Sequence, residues 1–289
     1  MSMPAAHMNP LPTLADLLRG YADAPALAVH GIASDTRQLG EGYAFFAVQG
    51  LGSHGLDYLE QACAAGICAV VWDASTGSAP SGIEVPAIAV DGLAARLGEI
   101  ADRYYGQPSE RLGVIGVTGT NGKTTVAWMV AQAFDLLGRA CGYLGTLGHG
   151  LGTVEDATGM TTPPAIELHG RLAEFVDGGA EFAAVEVSSH ALSQGRVDGV
   201  RFDTALFTNL SRDHLDYHDD MDDYIASKSQ LFLDCGPSHR IVNVDTDYGM
   251  RLASLCGPDV VTVSTRADRI ADGRPHVIVR SVDPGMQGS

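Results

Sequence analysis

The chain has 289 residues and a formal charge of −17, an acidic balance that excludes a nucleic-acid backbone as partner, because phosphate backbones need a basic footprint. Hydrophobic residues at 45% against 18% charged exclude wholesale disorder, and the length allows two domains, each with its own core. Met1 to Leu18 lacks a basic start followed by an apolar stretch, so no signal peptide is expected; the longest nearly apolar run, Ala62 to Trp72, is too short to span a bilayer.

In chain order, Leu27–Ile32, Tyr43–Val48, Ile67–Trp72 and Ala87–Val90 are predicted strands. Between them Gly55–Ala65 reads as a helix with Leu56, Leu59 and Ala62 inward, and Leu93–Tyr105 places Leu93, Leu97, Ile100 and Tyr104 on one face. Asp73–Pro86, rich in Ser, Gly, Ala and Pro, reads as a loop. A polar break at Gly106–Arg111 suggests a boundary between a domain of residues 1–108 and a second of residues 109–289. The second opens on Leu112–Val117, a run suited to a strand buried on both faces, followed by a Gly/Thr-rich turn and a helix over Thr124–Leu137. Further strands are predicted at Phe182–Val187, Asp203–Asn209, Arg240–Val244 and Val260–Ser264, with helices at Ala165–Val176 and Asp222–Leu233. This alternation predicts an α/β fold with a mainly parallel sheet covered on both faces. Five cysteines (Cys63, Cys68, Cys141, Cys235, Cys256) without CxxC spacing read as free thiols of a reducing compartment, and no zinc site is indicated.

The turn after Leu112–Val117 reads Gly116-Val-Thr-Gly-Thr-Asn-Gly-Lys-Thr-Thr125. Its glycines let backbone N–H groups turn toward phosphate oxygens, and the helix that follows adds the positive end of its dipole. Lys123 is expected to neutralise β- and γ-phosphates and the Thr124 hydroxyl to reach magnesium, within a loop of Gly119, Thr120, Asn121, Gly122, Lys123, Thr124 and Thr125. The general phosphate-loop pattern asks for Gly where Val117 stands, so the match is to a variant. ATP or GTP binding follows. Downstream, Glu186 ends a predicted central strand, His214 lies in Thr208-Asn-Leu-Ser-Arg-Asp-His-Leu-Asp-Tyr-His218, and Lys228 lies on a helix. Each sits after a strand of one nucleotide-binding sheet, where cation ligands are needed. On the residues alone, this is an ATP-using enzyme with an unknown acceptor.

Gly-Thr-Asn-Gly-Lys-Thr-Thr (119–125), Glu-Val-Ser-Ser-His-Ala-Leu (186–192) with Gln194-Gly-Arg196, and the 207–218 string together resemble the Mur ligase family. Within it they are most similar to the subgroup that adds the third amino acid to UDP-N-acetylmuramoyl-L-alanyl-D-glutamate. The first domain resembles the family's UDP-binding domain more weakly: Ser34-Asp-Thr-Arg37 stands for Asp-Ser-Arg, Gly42–Gly50 for a strand usually bearing an acid where Tyr43 is, and Gly52–Gly55 for a loop near the ribose or pyrophosphate.

The resemblance implies an N-terminal UDP-binding α/β domain and a central phosphate-loop ATPase domain, with Mg2+ held by Thr124 and Glu186. It implies a second magnesium served by His214 and by Lys228, the lysine carbamylated so that it becomes carboxylate-like. Lys123, Lys228 and His214 would be the catalytic set. Ser34, Thr36, Thr161, Thr162, Ser188, Gln194 and Arg196 would contact the UDP-MurNAc-dipeptide, and ATP and a diamino acid, meso-diaminopimelate before L-lysine, would be the other substrates. A cytoplasmic monomer without membrane insertion is implied. The family also carries a third, C-terminal domain with an amino-acid-selecting motif; the sequence ends at Ser289 without one, so a fragment with poor or absent turnover is expected. Folylpolyglutamate or cyanophycin synthetases and a non-catalytic nucleotide-binding module are the alternatives; a GTPase lacks support because no Asn-Lys-x-Asp string is present.

Overall fold

The computed structural model describes residues 11–50, 52–155, 160–211, 221–269 and 274–280. The chain divides into two compact units: Met1–Pro108 with Pro164–Glu174 and Gly195–Val200, and Ser109–Pro163 with Phe175–Gln194 and Arg201–Ser289.

In the first unit, helix α1 (Leu14–Leu17) begins at Thr13, whose hydroxyl accepts from the Asp16 amide while Asp16 returns a bond to the Thr13 amide. Strands β1 (Gly31–Ala33), β2 (Tyr43–Ala47), β3 (Ala69–Asp73) and β4 (Ala87–Val90) form an all-parallel sheet in that order. Helices α2 (Leu59–Ala64) and α3 (Leu97–Tyr104) lie between and after them. Period-2 alternation explains the two cores: Ala44, Phe46, Ala69 and Val71 pack with Leu14, Leu17, Leu93, Ile100 and Tyr104, whereas Phe45, Val70 and Trp72 pack with Ala62 and Ile67. Of the predicted face, Leu93, Ile100 and Tyr104 are buried and Leu97 is half-buried, but the predicted single helix is split: Leu93–Arg96 is a 3-10 turn and α3 starts at Leu97. Within α5 (Ala165–Asp177), His169 is fully buried; its Nε2 lies 2.9 Å from the Asp198 carbonyl and its Nδ1 3.5 Å from Asp102. Burial pushes the imidazole down to about 4, so it is neutral at pH 7.

One predicted strand is displaced. Leu27–Ile32 is extended, but the Leu27 carbonyl and Val29 amide bond with Leu14 and Pro12, and the sheet strand starts only at Gly31. The backbone groups of that run are taken by the incoming chain before the sheet can use them.

The second unit holds β5 (Gly113–Thr118), α4 (Lys123–Leu136), β6 (Cys141–Gly145), β7 (Gly148–Leu151), β8 (Phe182–Glu186), α6 (Ser189–Ser193), β9 (Phe202–Phe207), α7 (Met221–Leu233), β10 (His239–Asn243), α8 (Asp247–Leu255), β11 (Val261–Ser264) and β12 (His276–Ile278). Its sheet runs β12-β11-β10-β9-β5-β8-β6-β7, parallel throughout except for the β6–β7 hairpin. The chain runs outward from β5 on one side, returns to β8, and then builds the other side from β9. The carboxyl ends of β5, β8 and β9 therefore stand at a topological switch point, where such sheets bind ligands. Register keeps those ends level: Val117 pairs with Glu186 and Thr118 with Phe207. All five cysteines are free, and among the described residues no helix is long and apolar enough to cross a membrane.

Candidate nucleotide and metal site

The loop between β5 and α4 is shaped by its glycines. Gly119 has φ +144° and Gly122 φ +82°, regions that L side chains rarely adopt, and a Cβ on Gly119 would overlap the Thr208 hydroxyl. Gly122 is the N-cap of α4 and offers no side chain to its first-turn amides, which leaves that end of the helix dipole available to an anion. The segment after β9 braces the loop from behind. The Asn209 side chain accepts from the Asn121 amide (3.0 Å) and donates to the Asn121 carbonyl (3.0 Å), while Thr208 Oγ1 donates to that carbonyl at 2.7 Å. Thr120 turns inward, buried among Tyr224 Oη (3.1 Å) and the Ser211 backbone. Thr125 is exposed on the first turn of α4.

Glu186, the last residue of β8, is fully buried and its two carboxylate oxygens have different surroundings. Oε1 accepts from Tyr143 Oη (2.6 Å) and the Thr146 amide (2.9 Å). Oε2 accepts from Thr124 Oγ1 at 2.9 Å and Thr146 Oγ1 at 3.2 Å. Gly145 permits this: a Cβ there would overlap Oε1. The Thr124 hydroxyl beside a carboxylate oxygen is a pair of hard oxygen donors next to the phosphate loop, a chemistry that suits Mg2+. Thr162 Oγ1 donates to the Glu186 carbonyl (2.7 Å) and accepts from the Ser188 amide (3.1 Å), and Thr161 Oγ1 accepts from Thr146 Oγ1 (3.1 Å). Thr162, expected to touch substrate, is buried and braces the strand end; Ser188 caps α6 through the Ala191 amide. Gln194 is exposed at the end of α6.

Lys123 Nζ donates to the carbonyls of Gly119 (3.1 Å) and Thr120 (3.0 Å). Lys228 on α7 is almost fully buried, donates to the same Gly119 carbonyl (3.0 Å), and lies 4.4 Å from the centre of the Tyr224 ring. These are the only two lysines in the sequence; the other sixteen basic side chains are arginines. Motif reading named both lysines; their sharing of one carbonyl was not readable from it. As an ammonium Lys228 donates and has no lone pair for a cation, so a ligand role is read through the carbamate. His214 lies outside the described residues. Among the described residues no group of three or more His, Cys, Asp or Glu could hold a metal. The remaining predicted residues, Ser34, Thr36 and Arg196, belong to the first unit, not to this corner. Tyr143, Thr146, Thr208 and Asn209, which shape the corner, were not singled out from sequence as site residues.

In the first unit, Ser34, Thr36, Arg37, Ser53, Tyr58 and Gln61 line part of a cavity of about 760 Å3. Thr36 Oγ1 donates to Gln61 (3.1 Å), and Ser53 and Tyr58 hydroxyls meet at 3.1 Å. Arg37 Nε and Nη2 grip Asp35, holding that carboxyl below its ordinary range. Phe45 and Val48 also line the cavity, which sets apolar groups beside polar hydroxyl and amide groups.

Residues 117–278 match the Mur ligase middle domain, and residues 28–105 match the family described as Mur ligase family, catalytic domain. The chain is 48% identical over 241 residues to a UDP-N-acetylmuramoyl-L-alanyl-D-glutamate–2,6-diaminopimelate ligase of Xylella fastidiosa, covering 83% of this chain and 48% of that protein. It is 47% identical over 258 residues to a protein of the same description from Xanthomonas campestris pv. campestris, covering 88% and 52%. A solved structure of a ligase so described matches with TM-score 0.73 at 26% identity, over 90% of this chain and 54% of the other. The chain spans about half the length of the curated relatives it matches.

Proposed function

The chain belongs to the Mur ligase family, and on that premise we propose that it supplies the UDP-substrate-binding and ATP-binding parts of a cytoplasmic ligase adding meso-diaminopimelate to UDP-MurNAc-L-Ala-D-Glu in peptidoglycan synthesis. The observation that carries the reading is the juxtaposition of Thr124 Oγ1 and Glu186 Oε2 beside the Gly119–Thr125 loop, in a chain nearly half identical to ligases of that description.

In the proposed reaction the D-glutamate carboxylate attacks the γ-phosphorus of ATP and ADP leaves as the bond to the γ-phosphorus breaks; the amine of the diamino acid, losing a proton, then displaces phosphate from the acyl phosphate. Two anions meet in the first step, so charge neutralisation dominates the barrier. Lys123 leaves its carbonyl partners for the β- and γ-phosphates, and the amides of the first turn of α4 receive the phosphate oxygens. Thr124 and Glu186 would hold Mg2+, which supplies further neutralisation of the phosphoryl oxygens. Lys228, carbamylated, and His214 would serve a second ion; mass spectrometry under carbon dioxide tests the modification, and an unmodified amine in an active complex refutes it. In the first unit, Ser34 and Thr36 offer hydroxyls to the uridine end of the substrate, and Arg196 suits a bidentate grip on carboxylate or phosphate.

The deciding experiment measures binding of UDP-MurNAc-dipeptide and of Mg-ATP to the purified chain, with ADP release followed in the same sample for meso-diaminopimelate and for L-lysine. Both ligands bind if the reading holds; no affinity for Mg-ATP or its unreactive analogues overturns it.

A further inference from the structure

We propose that Tyr143 is a positioning residue that reserves one oxygen of Glu186 for the cation, by occupying the other. This rests on the reading of Thr124 and Glu186 as a magnesium pair. Tyr143 is 1% exposed on β6, and its hydroxyl reaches Glu186 Oε1 at 2.6 Å from the neighbouring strand, where Leu144 pairs with Val185. Its ring is wedged edge-on against Trp128 of α4, with centroids 5.2 Å apart, so the hydroxyl has little freedom to swing away.

Oε1 also takes the Thr146 amide, a donor that cannot rotate off. Oε2 also has two donors, but both are threonine hydroxyls, of Thr124 and Thr146, which can rotate their protons away; Oε2 is therefore the oxygen that can be given up to a cation. The carboxylate is thereby presented one oxygen at a time, in a fixed rotamer. Removing the phenol hydroxyl leaves a buried carboxylate oxygen one donor short, which frees the group to turn and seek another partner. Partners of this kind typically change metal affinity by about 10- to 100-fold.

The test measures Mn2+ binding by electron paramagnetic resonance on the purified chain with the unreactive analogue AMPPNP, and AMPPNP affinity with metal chelated away. Tyr143→Phe is expected to weaken Mn2+ binding about 10-fold or more while leaving metal-free AMPPNP affinity unchanged, since Lys123 and the loop amides carry the latter. A purely structural role would move both. Tyr143→Phe keeps the ring against Trp128, so a loss confined to Mn2+ binding is assigned to the hydroxyl, whereas an equal fall in metal-free AMPPNP affinity assigns it to disturbed packing and overturns the proposal. If AMPPNP affinity in the unaltered chain is indifferent to Mn2+, or Glu186→Gln binds Mn2+ equally well, the reading of the site itself fails. Unaltered Mn2+ affinity in Tyr143→Phe sinks this inference alone.

Discussion

The phosphate-loop corner of the second unit and the cavity of the first are built on opposite plans. Around Gly119–Thr124 the surfaces offered to a ligand are backbone amides joined by the Lys123 and Thr124 side chains, with the loop's shape held by buried side chains such as Thr120 and Thr208. In the cavity the polar surface is side chain, and much of it is wet: the Arg37 side chain is 83% exposed even while gripping Asp35. A site made of backbone can be ruined by one methyl group, because its geometry has no rotamers to spare. A site made of exposed side chains loses a contact at a time, each worth little in water.

The largest effect expected is that of Lys123→Ala in a background carrying the full length of the relatives: ADP release falls about 10^3-fold, as removal of a cation aimed at developing charge does, with an unchanged melting temperature. Near-normal rates would remove the electrostatic account of the corner. Gly119→Ala comes next. Strain at φ +144° and overlap with Thr208 cost about 2 kcal/mol of stability, and Mg-AMPPNP binding is lost with the loop's shape. Tolerance of that methyl would break the contrast just drawn. In the cavity, Thr36→Val removes one hydroxyl and the bond to Gln61; UDP affinity should fall about five-fold by titration calorimetry, with AMPPNP affinity unmoved.

The smallest effect at neutral pH sharpens the comparison from the side of stability. His169 is held neutral by burial, with its value lowered from 6.5 to about 4. Between those values an unfolded chain takes up a proton that the folded one refuses, so stability is fully present above pH 6.5 and declines as pH falls toward 4. His169→Gln should flatten that decline. In a Trp128→Phe background the remaining tryptophan, Trp72, reports the first unit, and urea midpoints at pH 7.5 and 5 measure the slope.

Legibility followed the same divide between contiguous and assembled features. The phosphate loop was readable because its chemistry lies in one uninterrupted string between a β-branched strand and a helix. The buried face of α3 and the turn before it was readable because Leu93, Ile100 and Tyr104 keep helical spacing through burial. The β6–β7 hairpin was not. Gly142, Gly145, Gly148 and Gly150 depress strand propensity there, and three of them serve close approach: a Cβ on Gly142 would strike the Phe175 ring, one on Gly145 would strike Glu186, and one on Gly150 would strike the Thr153 carbonyl. With the hairpin unseen, Tyr143 and Thr146 could not be placed beside Glu186. Leu27–Ile32 failed for a different reason: an apolar run says that a segment is extended, not which neighbour its backbone will bond.

The meeting of both lysines at the Gly119 carbonyl has a practical consequence. Within this sequence both side-chain amines lie at the Gly119–Thr125 corner, so reagents that acylate or form imines with primary amines have no other lysines on which to be wasted. Labelling stoichiometry, corrected for the terminal amine, becomes a direct occupancy gauge for the corner, and protection by nucleotide can be read from the intact mass alone.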